Sequence, residues 1–282
     1  MEFYEQADQY VANGISTSFS QTDFINEAQY LWNNIYYYIA APGVSENADP
    51  SWMDTYYNCS ERYFGVFTVY VQPFNDTSQL TVANILNESN YRDYLYRRFR
   101  GTNGLLDFSK GSIAISRMQL ISGDGVAGIT DSMVAAIWAL DLAMEAAIMG
   151  VKYVMINNDF SASNMQSPLG AQPSFTPRAI YYSMLLFSII RYSSPVSMGI
   201  PTVYPGASNN IKIYSFNNSA SIGFLLINKD INPNASGVVQ INIVSGNAMQ
   251  CLYMSASSLT SSSLTLGGYY FIGNNSSPQG NF

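Results

Sequence analysis

Between Ile115 and Gly150 the chain reads ISRMQLISGDGVAGITDSMVAAIWALDLAMEAAIMG: a β-rich run, a loop with three glycines, and a long apolar stretch ending on glycine. A strand that runs through a glycine loop into a long helix commits its region to a parallel sheet with helices packed against it. Asp131 is the expected N-cap of that helix and Gly150 the expected residue just past its C-terminus.

The same alternation extends to both sides. INEAQYLWNNI (25–35) has apolar residues at helical spacing, and YYYIAAPG after it is a β-rich run ended by Pro42 and Gly43. A short helix over 52–61 leads to the strand GVFTVYVQ (65–72), closed by Pro73. LTVANILNESNYRDYLYRRFR is helical, GSIAIS and VKYVMIN are strands, and PRAIYYSMLLFSII is a helix with Pro177 in its first turn. From about Ile211 the texture changes: IKIYSF, IGFLLINKD, GVVQINIV, AMQCLYMSA, SLTL and GYYFI are short strands separated by Asn, Gly, Pro and Ser. That is the pattern of an antiparallel β-sandwich. The expected organisation is therefore α/β over 1–200 and all-β over 201–282, joined near MGIPTVYPGASNN (198–210).

Composition removes several chemistries. The 282 residues contain no histidine, which excludes histidine triads, imidazole proton shuttles and zinc sites with His ligands. Two distant cysteines, Cys59 and Cys251, form no metal motif; they either pair or stay as thiols. The reading calls for no cofactor and no metal. A net charge of -7 with 11% charged residues speaks against nucleic acid, which needs a positive footprint. The hydroxyl- and amide-rich surface suits glycan contacts or an extracellular protein. No membrane span is expected: the apolar helices around Trp138 and Leu186 carry Asp141, Glu145 and Arg191 and fall short of the ~20 residues that cross a bilayer.

Met1 is followed by polar and aromatic residues with no signal-peptide pattern. Sequons nevertheless occur at Asn58, Asn75, Asn87, Asn217, Asn234, Asn274 and Asn275. Secretion as a glycoprotein then requires a signal upstream of Met1.

The strings GDGVAGITDSMVAAIWALDLAMEAAIMGVKYVMIN, PRAIYYSMLLFSII, FLLINKD and SSLTLGGYY, in this order and spacing, resemble the retaining glycosidases related to heparanase and the microbial β-glucuronidases. The resemblance runs over nearly the whole chain. It implies an eight-stranded (β/α)8 barrel followed by a β-sandwich, of which this chain supplies about strands five to eight. Half a barrel leaves two open edges, so the other half lies upstream or comes from another chain, and self-association into an oligomer or filament is a further expectation. MEFYEQ is similar to the tail of the segment that carries the family's acid/base glutamate; Glu2 is offset from that place and reads rather as a solvated terminal residue.

Retaining glycosidases use two carboxyl groups ~5–5.5 Å apart, one nucleophile and one acid/base. By the resemblance the nucleophile belongs near the end of strand seven, where SRMQLISGDG has Arg117, with Gln119 near a usual asparagine. A guanidinium cannot be deprotonated at working pH and cannot attack an anomeric carbon. Two family histidines correspond to Tyr70 and Asn157. Asp124 stands in what is normally an uncharged loop near the substrate carboxylate, where it opposes a uronate; Arg117 is expected to pair with it or to bind an anion. Tyr70, Arg117, Gln119, Asp124 and Asn157 are thus candidate binding residues, and no catalytic residue is assigned. The expected function is a catalytically inactive glycosidase-like protein that binds a polysaccharide or serves as a structural subunit; the alternative is an active retaining hydrolase with its acid/base upstream. The arginines Arg92, Arg97, Arg98 and Arg100, interleaved with Tyr91, Tyr94, Tyr96 and Phe99, either hold sugars or an acidic polysaccharide or form a solvated helix face.

Overall fold

A computed structural model describes residues 10–12, 14–34, 40–44, 49–107, 112–158, 163–171, 175–192, 210–217, 222–231 and 251–270. In chain order the elements are α1 (Gln21–Asn34), β1 (Ala40–Val44), α2 (Pro50–Cys59), β2 (Val66–Val71), α3 (Val82–Leu86), α4 (Glu88–Arg98), β3 (Arg100–Gly101), β4 (Gly104–Leu105), β5 (Ser112–Met118), α5 (Met133–Met149), β6 (Tyr153–Ile156), α6 (Ala179–Tyr192), β7 (Ile211–Asn217), β8 (Ile222–Asn228), β9 (Met254–Ala256) and β10 (Leu264–Leu266). They fall into two compact units, each discontinuous in sequence: 1–75, 88–122 and 145–157 form the first, and 76–87, 123–144 and 158–282 the second. The expected boundary between 200 and 201 lies outside the described residues, as does the joint up to residue 209.

The first unit is built on a four-stranded parallel sheet in the order β1-β2-β5-β6. Strands that are neighbours in space in the same order as along the chain are what successive βα units produce when they wind in one direction. In β5 the residues Ile113, Ala114 and Ile115 are all fully buried, so both faces of the strand are covered. This explains why its sequence is a continuous apolar run rather than an alternation. Helix α2 begins where Asp49 accepts a hydrogen bond from Ser51 N at 2.8 Å, with Pro50 at the first helical position. It runs on into one π turn over Ser60–Phe64, ended by Gly65 at φ 81°. The helical stretch expected over 80–100 is broken at Asn87, whose backbone is extended, into α3 and α4.

β5 carries a bulge. Val69 pairs with Ile115 but Tyr70 pairs with Arg117, so Ser116 is the extra residue, and the pairing of β5 with β6 shifts in the same interval. The bulge sends Arg117 to the opposite face from Ile115, although the two are only two positions apart.

The second unit contains most of α5, together with α6 and the antiparallel pairs β7·β8 and β9·β10. The first two N–H groups of α5 are satisfied across the chain: Met133 N donates to Ser261 O at 2.9 Å and Val134 N to Leu259 O at 2.8 Å. Such donors need outside partners because the helix has none to offer them. Asp131 is accordingly not the cap. Its carboxylate accepts instead from Gly128 N at 2.6 Å, within the loop, and the helix starts after Ser132. The other end follows expectation: Gly150 has φ 96°, its N–H reaches Ala147 O, and Val151 N reaches Ala146 O at 3.0 Å, a Schellman ending. Pro177 lies just before α6, bridged to Leu169, rather than inside its first turn.

Asp141, fully buried on α5, organises the β7·β8 pair. Tyr214 donates its hydroxyl to Asp141, Lys212 Nζ lies 3.0 Å from one carboxylate oxygen, and Lys229 Nζ lies 3.2 Å from the other. Lys212 also stands 5.1 Å from the centre of the Tyr214 ring. A carboxylate at this depth is tolerated because a hydroxyl donor and two cations stand against it. Of the expected sandwich strands, the one at 237–244 and the end of the last one beyond Tyr270 lie outside the described residues.

Candidate functional site

In the first unit the carboxyl ends of β2, β5 and β6 present Tyr70 and Gln72, Arg117 and Gln119, and Asn157. Parallel α/β sheets bind ligands at this end of their strands. The ladder between β2 and β5 continues past the strands themselves: Gln119 N donates to Val71 O at 3.0 Å and Phe74 N to Leu120 O at 3.1 Å. Gln72 and Gln119 are thereby fixed side by side, and their side chains meet. Gln119 Nε2 donates to Gln72 Oε1 at 2.6 Å, while Gln119 Oε1 accepts from Arg117 Nε at 3.1 Å. The result is a directed chain from guanidinium to amide to amide, with Gln119 only 4% exposed.

Tyr70 is the in-register partner of Arg117 on the neighbouring strand, so their side chains share a face. Its carbonyl accepts from the buried Arg98 at 2.9 Å, which ties α4 to β2. Asn157 follows β6 directly and is half-buried. The structure therefore gathers Tyr70, Arg117 and Gln119 and adds Gln72, which the sequence reading passed over. The signal for it was a polar residue between the end of an apolar strand and Pro73.

What this arrangement offers is hydrogen bonding. Gln72, Gln119, Asn157 and Arg117 bear amides and a guanidinium, none of which exchanges a proton or attacks an electrophile near neutral pH. Arg117 Nε donates to Gln119 Oε1 within the first unit.

In the second unit the glycine loop is locked from within. Gly123, Gly125 and Gly128 all have positive φ, Thr130 Oγ1 accepts from Val126 N at 2.9 Å, and Gln166 Nε2 donates to Gly123 O at 2.9 Å. Met165 N closes on Asp124 O at 2.7 Å, leaving the Asp124 side chain exposed. A side chain at Gly125 would have its Cβ 2.3 Å from Thr130 Oγ1 and 2.7 Å from Gln166 Cγ, so the close approach itself requires glycine. Asn164 and Gln166 are 3% exposed; Asn164 Oδ1 accepts from Gln166 N at 2.9 Å and its carbonyl accepts from Arg178. These amide-rich residues in the stretch after β6 read in sequence as plain loop.

Of the sequon asparagines, Asn58, Asn75 and Asn87 are exposed. Asn217 ends β7, and Asn234, Asn274 and Asn275 lie outside the described residues, as does Glu2. Cys59 is buried and Cys251 exposed, and both are free thiols. Among the described residues no His, Cys, Asp or Glu cluster is placed to hold a metal ion, and no helix is long and apolar enough to cross a membrane.

No family model and no curated protein sequence matches the chain. Among solved structures it is similar to a 4-O-α-L-rhamnosyl-β-D-glucuronidase from Fusarium oxysporum 12S in complex with Rha-GlcA. That likeness has a TM-score of 0.75 at 15% identity and covers 99% of this chain and 64% of the other. A family 51 α-L-arabinofuranosidase from Bifidobacterium longum matches with a TM-score of 0.46 at 12% identity, over 75% of this chain and 50% of that one. The fold is glycoside-hydrolase-like, and the chain spans 64% of the length of the glucuronidase it matches.

Proposed function

We propose that this protein is a catalytically silent relative of the retaining glycosidases resembling heparanase and the microbial β-glucuronidases, working outside the cell as a glycan-binding or structural subunit. In this reading the parallel sheet is the second half of a (β/α)8 barrel, followed by a β-sandwich, and strands upstream of this chain or from another copy cover the edges at β1 and β6. Tyr153 and Met155 on β6, 52% and 47% exposed, support such a covering partner.

The observation that carries the reading is the bonding of Arg117. At the place the resemblance gives to the nucleophile stands a guanidinium whose Nε is already directed at Gln119, which is itself bonded to Gln72. Filling a nucleophile's place with donors turns a reactive centre into one that recognises hydroxyl and carboxylate oxygens. The exposed asparagines of three sequons favour an extracellular glycoprotein. Titrating the full-length protein with neutral and acidic oligosaccharides while following the side-chain NMR signals of Arg117 and Gln119 tests the binding role. Saturable shifts are expected, and silence of both residues at millimolar saccharide would refute it.

A second reading is supported by the fold likeness to an active glucuronidase: a retaining hydrolase with its acid/base residue upstream and a nucleophile other than residue 117. It requires a carboxylate pair within ~6 Å in the cleft of the full-length protein.

A further inference from the structure

We propose that the outer face of the β9·β10 pair binds an uncharged glycan chain, a flat one such as a β-1,4-glucan, which shows C–H groups on its faces and hydroxyls along its edges. The face lies wholly in the second unit and shares no residue with the strand-end group of Arg117, Gln119 and Gln72. The choice of ligand follows from the chemistry of this face and does not rest on the strand-end reading.

Register sorts the residues of the pair. Leu264 is the partner of Ala256 and Leu266 of Met254. Both leucines are buried, so this is the core side, and the alternate positions point the other way. Ser255 and Thr265 are partners on that outer side, with Oγ and Oγ1 2.9 Å apart. Two residues further along, Gly267 N donates to Tyr253 O at 2.8 Å, which sets Tyr253 opposite a residue with no side chain, again on the outer side. Tyr253 is 56% exposed. After the turn Tyr269 bridges Leu266 and shares its side, which leaves Tyr270, 44% exposed, on the outer side as well.

Two exposed rings with a hydroxyl pair between them match such a chain. The rings cover its C–H faces. One O–H of the Ser255 and Thr265 pair is used between them; the other, with the remaining lone pairs, donates to and accepts from sugar hydroxyls. Tyr253 stands about 7 Å along the strand from Ser255, and Tyr270 roughly 10 Å across from β9, so the face spans more than one sugar unit. Charge decides the class of glycan: no residue from Cys251 to Tyr270 is charged, so an acidic sugar finds no cation here and an uncharged one leaves no ion unpaired. The face is also preformed. Gly267 and Gly268, at φ 59° and 82°, make the tight turn that brings Tyr270 back beside β10. The loop between β9 and β10 is bound to the start of α5 through Leu259 O and Ser261 O. Rigid rings on a fixed hairpin lower the ordering cost of binding.

Titration of the full-length protein with cellohexaose, followed through the backbone amide signals of Thr265 and Gly267, tests the proposal, with hexagalacturonate as the charged comparison. The variants are Y253A/Y270A, Y253F/Y270F and, as a control on the strand-end residues, R117A. Saturable shifts at both amides are expected with cellohexaose in the parent protein and in R117A alike. Affinity should fall at least ~10-fold in Y253A/Y270A, the loss of two stacked rings, and stay within ~3-fold of the parent in Y253F/Y270F, which keeps them. Silence of both amides at millimolar cellohexaose, undiminished binding by Y253A/Y270A, a phenylalanine variant as weak as the alanine one, or hexagalacturonate bound as tightly as cellohexaose would each overturn it. Binding lost only in R117A would overturn it too, while supporting the strand-end reading. Shifts at Thr265 and Gly267 that persist while Arg117 and Gln119 stay silent would support this face and count against the strand-end reading. Unchanged melting of the double variants, expected for exposed side chains, separates lost binding from lost fold.

Discussion

Tyr70 and Arg117 are in-register partners on neighbouring parallel strands, and they are so only because Ser116 bulges out of β5 immediately before Arg117. Were Ser116 a regularly paired strand residue, Arg117 would lie on the face of Ile115, which is fully buried. The bulge turns a cation out of the core and towards Gln119 and Gln72.

Gln119 is the centre of that chain, bonded through both ends of its amide while almost wholly buried. Gln119→Leu keeps the volume but strands Arg117 Nε and the Gln72 side chain. Urea unfolding should show a loss of about 1–3 kcal/mol, the cost of two lost hydrogen bonds, one of them from a guanidinium, to half-buried partners. A loss below a few tenths would show that the chain contributes nothing to the fold.

Asp141 is the anion shared by two buried lysines, Lys212 and Lys229. Asp141→Asn should destabilise by about 3–5 kcal/mol, because two buried ammonium groups then lose the carboxylate they share. Lys229→Met should cost less, since Asp141 keeps Lys212 and Tyr214. The reverse order of the two variants in thermal unfolding would contradict the arrangement.

Gly101 is buried against Asp54: a Cβ there would sit 1.9 Å from Asp54 Oδ1. That carboxylate clamps the turn between β3 and β4, accepting from Thr102 N at 2.9 Å and Thr102 Oγ1 at 2.5 Å. Gly101→Ala should push the carboxylate off Thr102 and cost about 1–2 kcal/mol by loss of its two hydrogen bonds. Hydrogen exchange at the Thr102 amide should quicken in the variant, and unchanged exchange would argue against the clamp.

The two thiols differ in reactivity. Burial pushes Cys59 up to about 11, an effect the nearby Arg62 only partly offsets. At neutral pH a maleimide should therefore label Cys251 alone in the folded protein. Because the folded state holds the Cys59 proton more tightly than the unfolded chain does, this contribution to stability is complete below the ordinary thiol range and fades as the pH climbs towards 11. Double labelling without denaturant, or stability that rises over that interval, would count against a buried Cys59.

The sequence made the parallel region legible because its strands are unbroken apolar runs and its longest helix ends on a glycine with the geometry a Schellman ending needs. It misled where tertiary partners replaced local ones. Asp131 looked like a cap, but carbonyls of Leu259 and Ser261, more than a hundred residues on, take the helix N–H groups. The bulge at Ser116 has no sequence mark, so the face of Arg117 could not be read by counting twos. Gln72, Asn164 and Gln166 gained their roles from neighbours distant in sequence, which no local pattern records.

The central claim is that the strand-end site recognises but does not react. Hydrolysis of aryl β-glucuronides and other aryl glycosides by the full-length protein measures this directly. The account predicts no release of the aryl group above the rate in buffer alone. Turnover abolished by replacing one carboxylate would contradict it.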